Sequence, residues 1–187
     1  MNRFQSYYEN VIRPDLLLKH SYTNVMEVPH LKKIVLNMGV KDVLQDKKHI
    51  LTGMILLERI SGQRPTVNRA KKSVSSYQLK EETILGCKVS LTGDSMYEFL
   101  DKLVTIVLPR VKDLKPLRFK SFDGQGNYSL GMKDTFVFPE IESEYGRIPK
   151  TYGFDIHFIT TAKTDDDARS LLSAFQLPFE NEKGKNE

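Results

Sequence analysis

Gly62-Gln-Arg-Pro-Thr-Val-Asn-Arg-Ala-Lys-Lys-Ser-Val-Ser-Ser-Tyr-Gln-Leu-Lys80, followed after Leu85 by Gly86-Cys-Lys-Val-Ser-Leu-Thr-Gly93, is the stretch on which the reading of this chain turns. Its second part alternates. Cys87, Val89 and Leu91 share one face of a strand while Lys88, Ser90 and Thr92 share the other, which is polar and basic. Its first part gathers Arg64, Arg69, Lys71, Lys72 and Lys80 with hydroxyls and one aromatic ring, Tyr77. Such a segment cannot be buried without a large desolvation cost for each unpaired charge. It stands in solvent or lies against a polyanion, and RNA is the first partner to consider.

Working outward, the same two-faced pattern recurs after Pro29: Ile34, Leu36 and Met38 alternate with Lys33, Val35 and Asn37 up to Gly39. Helical spacing appears between these strands and around them. Phe4, Tyr7, Tyr8, Val11 and Ile12 predict a helix that Pro14 interrupts, and Ile50, Leu51, Met54, Leu57 and Ile60 predict a second within 43–60, capped by Gly62. Ser95 and Glu98 have capping-box spacing before Met96, Phe99, Leu100, Leu103, Val104 and Val107, a helix that Pro109 ends. Leu117 to Phe122, Thr135 to Phe138 and Phe154 to Thr161 read as extended. A last helix starts at Thr164, with Asp165, Asp166 and Asp167 at the positive end of its dipole and Ala168, Leu171, Leu172 and Phe175 on its buried stripe. Together these predict an α+β fold: a mainly antiparallel sheet, helices packed on one face, the other face open, and protruding loops. The open face would carry Lys33, Asn37, Lys88, Ser90 and Thr92, a set suited to phosphates and the 2′-hydroxyls of folded RNA. A sheet face left to water is the alternative.

The length, 187 residues with no Pro/Gly/Ser-rich linker, predicts one domain over 1–179, and the charged run 180–187 predicts a disordered tail. The formal charge of +4 is uneven, since residues 133–187 hold 7 Lys/Arg against 11 Asp/Glu and leave +8 on the rest. Two basic clusters result, one over 62–92 and one of Lys102, Arg110, Lys112, Lys115, Arg118 and Lys120. Cations so placed gain by releasing counterions from a nucleic acid, although solvated surface charge is the plainer alternative. The single cysteine, Cys87, excludes an internal disulfide and reads as core. No apolar run approaches the ~20 residues that cross a bilayer, so no membrane partner is expected, and the polar start lacks a signal-peptide core.

The residues offer little chemistry of bond making. His20, His30, His49 and His157 lack paired metal-site spacing, so no metal, cofactor or catalytic residue is expected. Asp123-Gly-Gln-Gly-Asn-Tyr-Ser-Leu-Gly131 lacks the third glycine of a dinucleotide fingerprint and reads as a tight loop. Glu140, Glu142 and Glu144 follow Pro139 as a solvated edge or turn. A hydrolase built on them would lack a nucleophile and base.

Eight segments carry a resemblance: Asn24-Val-Met-Glu-Val-Pro29, Leu36-Asn-Met-Gly39, Ile60-Ser-Gly-Gln-Arg-Pro65, Arg69-Ala-Lys-Lys-Ser73, Gly86-Cys-Lys-Val89, Lys120-Ser-Phe-Asp-Gly-Gln-Gly-Asn-Tyr-Ser129, Phe138-Pro-Glu-Ile141 and Thr160-Thr-Ala-Lys-Thr164. In this order, from about residue 5 to 179, the chain resembles the L-five family of large-subunit ribosomal proteins in its bacterial and organellar form. The resemblance implies a non-enzymatic component that anchors 5S ribosomal RNA in the central protuberance beside large-subunit RNA and other proteins there. It also implies contacts to P-site tRNA and, across an intersubunit bridge, to a protein of the small-subunit head. The family's 5S contacts fall on Asn37, Gln63 and Ser90, with Lys33, Arg64, Lys88 and Thr92 nearby, and its tRNA-contacting loop maps to about Ala70 to Leu85, with Lys71, Lys72, Ser73, Tyr77 and Lys80.

The chain departs from that family in places. Thr92 and Gln125 replace common arginines, Ser75-Ser76-Tyr77 stands for Ala-Gly-Phe, and the bridge region between Glu140 and Gly153 is unusual. Loss of glycine at position 76 predicts a loop tip of another shape. The traded arginines, with an ending from Thr160 to Phe179 of alphaproteobacterial type, favour a mitochondrial ribosome over the bacterial cytoplasm. The alternative function is a protein-interaction module that binds acidic partners through its basic clusters without RNA specificity.

Overall fold

Three of the five segments predicted to be extended form strands, and two further strands form where the sequence predicts none. The computed structural model describes residues 2–180 except 21, 23, 45, 78, 112–115, 145, 147 and 149. The predicted tail beyond Glu180, and Lys112 and Lys115 of the second basic cluster, lie outside the described residues. Strands β1 (Leu31–Gly39), β2 (Thr66–Arg69), β3 (Ile84–Leu91), β4 (Tyr128–Met132) and β5 (Phe154–Thr160) form one antiparallel sheet in the order β2-β3-β1-β5-β4. Helices complete an α+β fold. The chain divides into two compact units, 1–34 with 92–130 and 157–187, and 35–91 with 131–156.

In the unit of residues 35–91 and 131–156, α3 is the main helix; the elements before it, α1 (Arg3–Tyr7) and α2 (Arg13–Lys19), belong to the other unit. This α3 (His49–Ser61) packs on β3 through Ile50, Leu56, Leu57 and Ile60, each burial worth roughly 1.5–3 kcal/mol. Gly53 decides how the helix lies. A Cβ there would meet Val40 Cγ2 at 3.0 Å, so the smallest residue of the helix faces the sheet. The helix is therefore rolled relative to the predicted stripe: Leu51 is 58% exposed and Met54 half-buried, while Leu56 is buried. It also starts at His49, after a separate 3-10 turn at Lys41–Leu44. Gly62, at φ 67, caps it in the left-handed conformation as predicted. On β3, Cys87, Val89 and Leu91 are buried and Lys88 and Ser90 exposed; burial pushes the Cys87 thiol up to about 11. Residues Thr135–Phe138, expected to be extended, form a turn whose Phe138 is fully buried and lies 5.7 Å from Phe154.

The other unit holds α1, α2, α4 (Gly93–Lys102), α5 (Leu108–Arg110) and α6 (Asp165–Ala174). Pro14 does not end its helix, whereas the helix that Pro109 was expected to end stops one residue past it, at Arg110. A π-turn at Tyr8–Ile12 joins α1 to α2 with Pro14 in the first turn of α2, and one at Leu103–Val107 joins α4 to α5 with Pro109 placed likewise. Proline's missing N–H and bulky ring are tolerated in a first turn, and the wider π-turn supplies one. It also aligns the stripe. Phe4, Tyr8, Ile12 and Leu16, four residues apart, are all buried, although a step of four overshoots an α-turn by about 40°. Phe175 stacks on Phe4 at 5.9 Å and on Tyr8 at 6.1 Å.

The predicted capping box of α4 does not form, because the helix begins at Gly93 and encloses Ser95 in its first turn. Thr164 does cap α6, its hydroxyl oxygen accepting the Asp167 N–H at 3.3 Å. Leu117 to Phe122 is not a strand. It makes single bridges, Leu117 to Phe179 and Phe122 to Tyr128, around a 3-10 turn at Phe119–Ser121, because Phe119 and Phe122 both stack on Phe179. The predicted loop from Asp123 closes by Asn127, and β4 follows.

Candidate nucleic-acid interface

Alternation on β1 and β3 puts the predicted contact residues of the unit 35–91 on the side of the strands opposite their apolar side chains. Asn37 is half-buried on β1, Lys88 and Ser90 are exposed on β3, and Met38, Cys87 and Val89 point into the core. The face continues onto β2, where Thr66 pairs with Lys88 and Asn68 with Gly86. Residues paired across antiparallel strands point the same way, so Thr66 and Asn68 join it. The Thr66 hydroxyl donates to the Lys88 carbonyl at 3.2 Å. Asn68 Nδ2 donates to Asn37 Oδ1 at 3.0 Å.

That amide pair spans from β2 to β1, two strands that flank β3. Gly86 sits on β3 beside Asn68 and lets β3 lie close against the Met38 backbone of β1; a Cβ there would strike the Met38 carbonyl oxygen. Asn68 is not among the contacts the sequence predicts. Its signal lies in the alternation of Thr66 and Asn68 with Val67 and Arg69, but Pro65 and the surrounding cations make the segment read as a loop. Gln63 and Arg64 follow the Gly62 cap. Ser61 Oγ accepts the Gln63 N–H at 3.2 Å and donates to the Leu57 carbonyl at 2.6 Å, which fixes the Gln63 backbone and leaves its amide half-exposed. Among the described residues Arg64 and Lys88 form no ion pair. Lys33, half-buried on β1, and Thr92, exposed at the N-cap of α4, belong to the other unit.

The segment from Ala70 to Thr83 extends the β2–β3 hairpin. The Ala70 N–H donates to the Thr83 carbonyl at 2.8 Å, and Val74 and Leu79 exchange backbone hydrogen bonds at 3.0 and 3.1 Å. Ser75–Tyr77 form a 3-10 turn that holds Tyr77 out, 72% exposed. This turn takes non-glycine residues without strain, which is how Ser76 is accommodated. Ser73, predicted to contact tRNA, has a local partner, its hydroxyl oxygen accepting the Glu81 N–H at 2.9 Å. Lys71, Lys72 and Lys80 are exposed and unpaired among the described residues, whereas Arg69 pairs with Glu82 at 2.8 Å.

In the same unit the segment 140–153 is tied to the turn at Lys41–Leu44. Lys150 Nζ donates to Asp42 Oδ2 at 2.9 Å, and the Tyr152 hydroxyl lies 3.4 Å from both Asp42 Oδ2 and His49 Nδ1. The hydrogen bond from Lys150 holds the Asp42 carboxyl below the usual carboxylate range and raises the Lys150 ammonium above its own. Glu140 and Glu142 lie on a 3-10 helix, Pro139–Glu144, whose Ile141 is buried.

In the other unit, the loop after Asp123 is closed on itself. The N–H groups of Gln125 and Asn127 donate to Asp123 Oδ1 at 2.8 and 3.0 Å, and those of Gly124 and Gly126 donate to the Asp165 carboxylate at 3.1 and 2.9 Å. A phosphate would find these donors taken. Among the described residues no three His, Cys, Asp or Glu side chains are placed to hold a metal ion, and no helix is long and apolar enough to cross a membrane.

Comparison with known proteins places the chain in a family. A family model described as Ribosomal protein L5 matches residues 24–80, and a second, for the C-terminus of the same ribosomal family, matches residues 84–179. The chain is 47% identical over 179 residues to large ribosomal subunit protein uL5m of Reclinomonas americana, covering 96% of this chain and 98% of that one. It is 46% identical over 180 residues to uL5 of Macrococcus caseolyticus, covering 96% and 99%, and 45% identical over 181 residues to uL5 of Bordetella petrii, covering 97% and 100%. With both family models and full-length relatives in register, the chain belongs to the ribosomal protein L5 family, whose members are structural, non-enzymatic constituents of the large ribosomal subunit.

Proposed function

We propose that this chain anchors 5S ribosomal RNA in the large subunit through Lys33, Asn37, Gln63, Arg64, Lys88, Ser90 and Thr92, and that the loop bearing Lys71, Lys72, Ser73, Tyr77 and Lys80 meets P-site tRNA. The observation that carries the reading is the polar face of β1, β2 and β3: amides and hydroxyls held in fixed directions by the sheet, beside cations with no acidic partner among the described residues. Fixed donors of this kind suit the regular shape of a folded RNA, where phosphates and 2′-hydroxyls are the accessible groups. Replacing both Asn37 and Gln63 by Ala should weaken 5S binding about tenfold while leaving the helical circular dichroism unchanged. Unchanged affinity would mean that the RNA lies elsewhere.

The segment from 140 to 153, anchored by Lys150 on Asp42, is the part we assign to the small-subunit head. Residues 1–179 act as one domain in this reading, because β1 and β5 each pass from one compact unit into the other. Urea unfolding should then show a single transition by fluorescence and by circular dichroism. A mitochondrial ribosome is the assigned location. Mitochondrial and bacterial relatives are equally similar, so the assignment rests on the neutral residues at Thr92 and Gln125 in place of arginine. Cell fractionation with antibody against the chain tests it.

A further inference from the structure

We propose that Asn37 and Asn68 together form a reading site for one ribose 2′-hydroxyl, and that this pair makes the face selective for RNA over DNA. The inference rests on the proposed 5S reading and adds Asn68 to it.

The geometry starts from the single bond between them. Asn68 Nδ2 donates to Asn37 Oδ1 at 3.0 Å, which engages the Asn37 carbonyl and one N–H of Asn68. An asparagine amide has two N–H donors and one acceptor oxygen. The Asn37 Nδ2 donors, the second Asn68 N–H and the Asn68 Oδ1 acceptor consequently stay available at the join, none with a partner among the described residues. A 2′-hydroxyl needs both kinds of contact, since its oxygen accepts and its hydrogen donates. Asn37 Nδ2 would donate to that oxygen, and the hydroxyl hydrogen would go to Asn68 Oδ1. A deoxyribose offers neither partner, and the half-buried pair would then lose water without replacement.

Three features of the chain hold the pair in place. Alternation sets Asn37 and Asn68 on one face, the β2–β3 register puts Asn68 across from Gly86, and Gly86 lets β3 lie close against the Met38 backbone of β1. Any side chain at 86 would strike the Met38 carbonyl. Lys88 is paired with Thr66, whose neighbour but one is Asn68, so a cation stands within the same ladder to meet the adjoining phosphate. Asn68 thus acts both as a contact and as a positioning residue for Asn37.

The test is a double-mutant cycle between protein and RNA. Full-length 5S RNA and a set of versions each carrying one 2′-deoxynucleotide are titrated against the wild-type chain and against Asn37→Ala, Asn68→Ala and Asn68→Asp. The expected result is at least one position where the deoxy substitution weakens wild-type binding about fivefold but has no further effect on Asn68→Ala or Asn37→Ala. Asn68→Asp keeps an acceptor but loses the donor to Asn37, and should bind intact 5S RNA more weakly than Asn68→Ala because its charge opposes phosphate. Thermal unfolding of each variant, expected to match wild type, excludes a folding defect. A deoxy effect that persists in both alanine variants, or the lack of any such position, overturns the pair while leaving the 5S reading intact. Wild-type affinity for 5S RNA no greater than for a scrambled RNA of equal length overturns the 5S reading itself, and the pair with it.

Discussion

Two loops of this chain begin with similar materials and end differently. The loop after Asp123 and the loop after Arg69 both join strand segments and both carry polar residues with few large apolar ones. In the first, four successive N–H groups donate to Asp123 and Asp165, and Gly124 and Gly126 supply φ of 84 and 79. Its backbone donors are satisfied by carboxylates of the same unit. In the second, the backbone is closed by ladder bonds, and the charges of Lys71, Lys72 and Lys80 face outward without acidic partners among the described residues. A loop that satisfies itself is a structural device, whereas one that leaves charges unmatched has room for a ligand. Sequence motifs alone do not separate them, because glycine-rich and lysine-rich loops can each bind phosphate.

The largest expected effect breaks the first loop. Gly126→Ala combines left-handed backbone with a Cβ that would lie 2.7 Å from the Ala162 carbonyl oxygen, and should cost about 3 kcal/mol in urea unfolding. The protein that remains folded should bind 5S RNA as wild type does. Loss of RNA affinity from the folded fraction would show that the closed loop is also an interface.

Acid should separate the two loops next. Hydrogen bonds from the Asn127 side chain, then from the Gln125 and Asn127 backbones, hold the Asp123 carboxyl below the usual carboxylate range. A depressed folded value means that this stabilisation is present above the unfolded pKa, about 3.9, and is lost as pH falls through the lower folded value. The Gln125 and Asn127 amides should therefore lose exchange protection below about pH 4. Those of Val74 and Leu79, bonded to each other's carbonyls, should change less.

The fold was legible wherever burial alone selects the pattern. Ile34, Leu36 and Met38 alternating with Lys33, Val35 and Asn37 needed no knowledge of neighbours, and neither did the Thr164 cap. It failed where a distant partner decides. Phe119 and Phe122 look like strand residues until Phe179 is brought to them, and α3 shows its axial roll only when Gly53 meets Val40. Pro14 misled for a different reason: the sequence marks where a helix is interrupted, but a π-turn carries it on into α2. On the polar face, the placement of Asn37, Lys88 and Ser90 was visible through alternation. Asn68 required the β2 register, which a four-residue edge strand after Pro65 does not announce.

A smaller effect sharpens the contrast at the second loop. Lys71→Ala with Lys72→Ala removes exposed cations that take no part in the packing, so stability should stay within about 0.5 kcal/mol. In assembled ribosomes P-site tRNA binding should weaken, with a salt dependence shallower by up to about 1.8 in slope if both cations meet phosphate. Binding to isolated 5S RNA should hold. Equal damage to both would dissolve the division between face and loop.

The smallest effect concerns the one cation of the second loop that is not open. Arg69 is paired to Glu82 at 2.8 Å, but both side chains are well exposed, so the bond contributes at most about 0.5 kcal/mol to folding. Glu82→Gln keeps the size of the side chain and removes the charge. Unfolding should shift no more than that small amount, while the freed Arg69 guanidinium adds one cation at the root of the loop. If loop charge is what meets tRNA, the variant should bind ribosomal P-site tRNA about twofold more tightly at low salt, and the gain should fade as ionic strength rises. A gain that survives high salt would point instead to a change of loop shape at Glu82, whose φ of 66 already places it in the left-handed region. Circular dichroism and exchange at Ala70 and Thr83, the residues whose backbone bond closes the root, would then show the change directly.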